Sequence, residues 1–194
     1  MHILDQGHAL VATSAEGLLS QASQGQKFDV IPLLDEVPAD GIMFARVRNQ
    51  PETLVVFRTP DERTRNPERL NLDRRQLDVC PFLEYEHRLR LLNFQNNNIS
   101  RIQHLENLPN LIFLDMYNNK LSTLEGPVSC ARGLRVLMAG KNRLTAISNL
   151  GNLKKLDVLD LHSNEIKVLC IVETAALDPS SHPKREYVHA PTPI

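Results

Sequence analysis

The residues of this chain best equipped for chemistry are Asp115, Asp160 and His162, followed by the lysine of Gly140-Lys141 and the thiols of Cys80, Cys130 and Cys170. Two carboxylates facing one another could divide general-acid and general-base work in glycoside hydrolysis. Asp160 and His162 stand two residues apart and share a strand face, the pairing in which a carboxylate orients an imidazole. Neither arrangement is complete. Asp115 and Asp160 fall two strands apart in the repeat described below, roughly 10 Å at about 4.8 Å per strand, with no pocket implied between them. No serine or cysteine is placed beside the Asp-His pair, so a solvated polar surface is the expectation there. In Met138-Ala139-Gly140-Lys141-Asn142 the residue after the lysine is asparagine, where a phosphate loop needs Ser or Thr. The cysteines are odd in number and lack metal-type spacing, which fits reduced thiols in small apolar slots. No catalytic, cofactor or metal site is therefore expected.

These residues sit inside a phrase that recurs four times: LRLLNFQNNNI from Leu89, LIFLDMYNNKL from Leu111, LRVLMAGKNRL from Leu134 and LDVLDLHSNEI from Leu156. The intervals are 22, 23 and 22 residues, and Asn97, Asn119, Asn142 and Asn164 keep the same step. A phrase LxxLxLxxNxL at that period is the leucine-rich-repeat signature and predicts an α/β solenoid. Its parallel β-strands line the concave face, and short 3₁₀, helical or irregular segments return along the convex side. Strand alternation sends Leu92, Leu114, Leu137 and Leu159, then Phe94, Met116, Ala139 and Leu161, into the core. Ala139 is the small member, leaving space for Met116 or Leu161 to fill. The asparagines serve backbone groups of a tight turn that water cannot reach. Apolar residues three apart, Ile99, Ile102, Leu105 and Leu108, suit a 3₁₀ return. Gly126-Pro127, in the coil with the extra residue, predicts a local bulge.

Between the core leucines three outward rows remain. Leu91, Phe113, Val136 and Val158 form an apolar row; Asn93, Asp115, Met138 and Asp160 follow; Gln95, Tyr117, Gly140 and His162 complete the face. An apolar row bordered by polar groups is a candidate partner-binding strip, with Phe113, Tyr117 and Met138 as anchors. The alternative is a row half-covered by the curvature of the coil.

Outside the repeats, residues 1–57 read as an N-terminal extension, its first part tail-like in composition. Runs 42–48 and 53–58, separated by Asn49-Gln50-Pro51-Glu52, form a candidate hairpin within 42–58. Residues 58–88 read as an N-terminal capping coil. Leu70, Leu72 and Leu77 lie one period before Leu92, Phe94 and Ile99, with Arg75 in the asparagine slot. Between Arg58 and Arg75 six arginines are interleaved with four acids, where a nucleic-acid surface would lack the acids. The repeats extend over 89–172. Residues 173–194, with four prolines, read as a disordered tail that cannot form another coil and leaves the last core layer poorly sealed. The whole chain carries a formal net charge of -1, which favours neither nucleic acid nor an acidic membrane surface. The N-terminus lacks the basic and apolar regions of a signal peptide, and no apolar run reaches spanning length.

The 22-residue period resembles the short leucine-rich class seen in a protein phosphatase 1 regulatory subunit and in ciliary and centrosomal proteins. Residues 58–119, with LNLDRRQLDVCP and LRLLNFQ, and residues 134–166, with LDVLDLH, resemble more specifically the leucine-rich subunit family of the neuronal tubulin polyglutamylase complex. That resemblance implies a non-catalytic scaffold, with complex subunits, including a tubulin-tyrosine-ligase-like glutamate ligase, and tubulin or microtubules as partners. It also implies a cytoplasmic address at the cytoskeleton, centrosome, centriolar satellites or cilium. The chain stops where relatives continue with further repeats, so a shortened product is the expectation. The alternative function is a regulatory module of a phosphatase or another cytoskeletal complex.

Overall fold

A computed structural model describes residues 29–83, 85–124, 131–147, 150, 153–169 and 186–187. Each leucine phrase is too short to bury its face alone, so the coils stack and share one core. Strands β4 (Arg69–Asn71), β6 (Leu91–Asn93), β7 (Phe113–Asp115), β8 (Val136–Met138) and β10 (Val158–Asp160) pair in parallel, in chain order. Their register is one repeat per strand: Leu70, Leu92, Leu114, Leu137 and Leu159 are successive partners. The leucines point inward and are buried, as are Phe94, Met116, Ala139 and Leu161 behind them. The small Ala139 thus shares one core with the larger Met116 and Leu161.

Each strand leaves the sheet through the left-handed region, one residue before the ladder position. Arg74, Asn96, Asn118, Lys141 and Ser163 all have φ between 49° and 55°. Asparagine tolerates that conformation best among residues with a side chain. The following asparagine then ties two coils together. Asn119 accepts a hydrogen bond from the Ile99 N–H at 3.0 Å, and its amide donates to the Phe94 carbonyl of the previous coil at 2.8 Å and to Met116 of its own at 3.2 Å. Asn97, Asn142 and Asn164 repeat the pattern.

The convex return is made of short turns and irregular chain. Isolated three-residue turns, with Leu108 N–H donating to Leu105 and Leu153 N–H to Leu150, alternate with irregular chain. Farther along, β9 (Ala146–Ile147) and β11 (Val168–Leu169) pair as a second, two-stranded parallel sheet. The bulge expected at Gly126-Pro127 lies outside the described residues.

At the N-terminal end, β1 (Val30–Pro32), β2 (Ile42–Val47), β3 (Gln50–Arg58) and β5 (Phe82–Leu83) make a separate four-stranded sheet. Strands β2 and β3 form an antiparallel hairpin whose turn is Arg48-Asn49; Gln50, Pro51 and Glu52, assigned to the turn from sequence, belong to β3. Pro51 is accommodated where the register shifts, and the Arg46 guanidinium donates to its carbonyl. Alternation gives this sheet two buried faces. Ile42, Leu54 and Val56 join the solenoid core, while Met43, Ala45, Val47, Val55 and Phe57 form a second cluster with Val30, Val37 and Phe82. Helix α1 (Pro60–Arg65) links β3 to β4; the Thr59 hydroxyl caps it by accepting from Glu62 N–H. Gly41, at φ 71°, turns the chain into β2 so close to Thr59 that a Cβ would lie 2.6 Å from its hydroxyl.

Three ion pairs, two on Glu86 and one on Asp40, fasten the N-terminal sheet to the first coils. Arg58 and Glu86, both buried, make a two-pronged pair; Arg58 also donates to the carbonyls of Asn66 (2.7 Å) and Arg69 (3.0 Å), and Arg63 reaches Glu86 at 3.1 Å. In the asparagine slot of the first coil, Arg75 keeps the backbone half of the ladder, its N–H donating to Asn97. Its guanidinium pairs with Asp40, ahead of β2, instead of stapling a preceding coil. Burial raises the Asp40 carboxyl, but the Arg75 hydrogen bond, the Ile42 N–H and the Arg75 charge outweigh it and hold the group below the usual aspartate value.

Of the tail 173–194 read as disordered from composition, all but residues 186–187 lies outside the described residues. Glu186–Tyr187 forms β12, pairing in parallel with Val158–Leu159 on the far edge of the sheet. Strand β10 otherwise ends the sheet with unpaired backbone donors and acceptors, which any extended segment free of proline can satisfy.

Candidate functional site

The sheet register brings the outward residues together in their three rows. Leu91, Phe113, Val136 and Val158 are successive cross-strand partners, as are Asn93, Asp115, Met138 and Asp160. All four members of the apolar row are half-buried, as are Met138, Tyr117 and His162. The strip therefore offers partial surfaces of large side chains on a rigid sheet.

Asp160 differs from the solvated polar surface expected from sequence for its pair with His162, and Asp115 is placed as deeply. Asp115 and Asp160 are only 6% exposed. Asp115 accepts from the Tyr117 N–H at 3.0 Å through one oxygen and from the Gln95 amide at 2.5 Å through the other. Asp160 accepts from the His162 N–H at 3.0 Å. Both close the turn two residues ahead of them, a use open to an Asp at the end of a short strand. Their position in the row is that of wall residues holding Tyr117 and His162 in place.

Gly140 explains how those two rings meet. A Cβ at Gly140 would lie 2.7 Å from both Cε1 and Nδ1 of His162 and 3.2 Å from Asp160 Oδ2. The missing side chain lets His162 fold back so that Nδ1 stands 2.6 Å from Asp160 Oδ1. Across the same gap the Tyr117 and His162 ring centroids are 5.6 Å apart, tilted by 39°. Lys141 Nζ lies 5.3 Å from the Tyr117 ring centre, a cation-π contact that adds charge beside the aromatic pair. Sequence reasoning placed Tyr117, Gly140 and His162 in one row but missed Lys141; a glycine among large residues was the available signal for a close approach.

This grouping sets an imidazole, a phenol and an ammonium group side by side on the sheet. Among the described residues no three His, Cys, Asp or Glu side chains are grouped to hold a metal ion. Cys80 is buried, and burial pushes its thiol up to about 12, which leaves it protonated and unreactive. Cys130 and Cys170 lie outside the described residues. No described helix is long and apolar enough to cross a membrane.

A model of the Leucine Rich repeats (2 copies) family matches residues 87–127. Leucine-rich repeat-containing protein 49 of Homo sapiens is 52% identical over 72 residues, covering 37% of this chain and 10% of that protein. The Mus musculus protein of the same name is 51% identical over 65 residues, covering 34% of this chain and 10% of that protein. The chain thus matches about a tenth of the length of these curated relatives. Among solved structures, the functional domain of InlJ from Listeria monocytogenes, which includes a cysteine ladder, superposes with a TM-score of 0.40 at 20% identity, over 60% of this chain and 29% of that one. The strand register, the asparagine ladder and the family match identify a leucine-rich-repeat solenoid that resembles leucine-rich repeat-containing protein 49 over about a third of the chain.

Proposed function

We propose that this chain is a non-catalytic interaction scaffold acting as a subunit of a tubulin polyglutamylase complex, in microtubule- or cilium-associated tubulin modification. Leucine-rich repeats and the resemblance to leucine-rich repeat-containing protein 49 support a repeat-based protein-interaction role. The single observation that carries the finer reading is the 52% identity over 72 residues, since the implied complex is the one suggested by that family. The proposed docking surface is the concave strip of Leu91, Phe113, Val136, Met138 and Val158, with Tyr117 and His162 at its rim and Asp115 and Asp160 fixing them. Its direct partner is a complex subunit such as a tubulin-tyrosine-ligase-like glutamate ligase, which supplies the catalysis.

Affinity purification of the full chain from ciliated cells, followed by mass spectrometry, tests this. Polyglutamylase subunits should be recovered with the parent chain and lost with the triple variant Phe113→Ala, Tyr117→Ala, Met138→Ala, whose anchors are half-buried and outside the core. Recovery of a phosphatase catalytic subunit in their place would move the function to the rival regulatory class, and retention of the same partners by a folded triple variant would remove the concave strip.

A further inference from the structure

A second surface lies on the edge where the chain enters the strands, around the corner from the concave strip. There the residues just before each strand stack as a column, Glu68, Arg90, Ile112, Arg135 and Asp157. Each of the first four carbonyls accepts two N–H groups from the next coil, as Arg90 does from Ile112 and Phe113, both at 2.9 Å. Two residues earlier runs a parallel column, Arg88, Asn110, Gly133 and Lys155. Between the columns is a groove of about 590 Å³ whose floor includes Pro109, Ile112 and Gly133.

The charges on this groove are unequally matched. Glu68 is already paired with Arg90 at 3.4 Å, and Asp157 with Arg135 at 2.5 Å. Arg88 and Lys155, exposed at opposite ends of the groove, have no carboxylate partner among the described residues. Gly133 keeps the middle open. A Cβ there would sit 3.3 Å from the Leu111 carbonyl and 3.5 Å from that of Pro109, so any side chain would crowd the coil below or stand in the groove.

We infer that this strand-entry groove binds an extended acidic peptide segment of a protein partner, with two carboxylates at Arg88 and Lys155 and an apolar side chain between them over Pro109 and Ile112. Arg88 and Lys155 are three coils apart, roughly 14 Å at about 4.8 Å per coil, which an extended peptide spans in about four residues at roughly 3.3 Å each. Residues four apart on an extended chain point to the same side, so both carboxylates reach the rim together. A nucleic acid suits the groove less well, because Glu68 in its lining would face the phosphates and the chain as a whole carries a formal net charge of -1.

The test is fluorescence anisotropy of the full chain with a labelled peptide carrying two glutamates four residues apart and a valine midway. Binding should weaken as salt is raised, and should fall roughly tenfold when both glutamates are replaced by glutamine or when Arg88→Ala and Lys155→Ala are combined. Circular dichroism identifies a folded double variant, and Arg88→Gln with Lys155→Gln replaces it if the alanine pair unfolds. The concave triple variant should bind the peptide like the parent, which separates this inference from the concave-face reading. Absence of salt-sensitive binding, or equal binding by a folded double variant, would overturn the proposal. So would tighter binding of an oligothymidylate of equal charge through the same two residues, which would assign the groove to nucleic acid.

Discussion

Asn119 shows how much one side chain can carry in a solenoid. Its amide serves the Ile99 N–H and the Phe94 carbonyl of the preceding coil together with the Met116 carbonyl of its own, all in a buried turn. Leucine has similar bulk and no polar atoms, so Asn119→Leu leaves these groups unpaired at about 1–3 kcal/mol each. The expected loss of stability is at least about 2 kcal/mol by urea unfolding followed by circular dichroism, whereas a merely exposed turn residue would change little. His104 offers a different residue-scale test. Its ring stacks on Phe82 with centroids 3.5 Å apart, and burial lowers its pKa below 6.5 while Glu106 partly opposes the shift. The unfolded chain therefore binds the proton more readily than the native one. Stability from this group is complete above about pH 6.5 and is lost as pH falls below that value. The unfolding midpoint should drop between pH 7 and pH 5.5, and His104→Asn, which tolerates the φ of 62°, should flatten the drop.

At the scale of elements, the informative junction is between the β2–β3 hairpin and the first coils. Arg58 ends β3, and its guanidinium is held by Glu86 and by the Asn66 and Arg69 carbonyls, which flank the chain between α1 and β4. Removing Arg58 leaves the buried Glu86 with only the partly exposed Arg63 to pair with and strips the Asn66 and Arg69 carbonyls of their donor; breaking a buried pair costs up to about 3–5 kcal/mol, whereas an apolar pair of similar volume is close to neutral. Arg58→Met should therefore destabilise strongly, and adding Glu86→Leu should recover part of the loss; thermal unfolding of the single and double variants measures both. Full additivity of the two substitutions would show that the pair is not coupled. The hairpin itself was legible in the alternation of IMFARVR and TLVVFR, but the place of its turn was not. Pro51 reads locally as a turn residue, and only the irregular pairing opposite Arg46 lets it stay within a strand.

At the scale of the molecule, the N-terminal sheet and the solenoid share one core, since Ile42, Leu54 and Val56 belong to the same buried cluster as Leu159 and Leu161. In a stack where each coil touches only its neighbours, damage at one end is transmitted through that continuous packing. Hydrogen exchange in the Arg58→Met variant should accordingly accelerate in β2 and β3 and in β4 together. The sequence by itself determined the coil period, the inward leucines, the ladder asparagines and the membership of the three concave rows. Those are consequences of spacing along the chain, and a repeat whose face must be buried by its neighbour has one register available. Only the tertiary structure decided what Arg58 and Arg75 do, because Glu86 and Asp40 stand 28 and 35 residues away in sequence and no local pattern encodes such a meeting. It also decided that Asp160, expected with His162 on a solvated polar surface, is buried and that Asp115 is buried too, because burial is settled by what folds over a carboxylate and by whether neighbouring N–H groups can satisfy it.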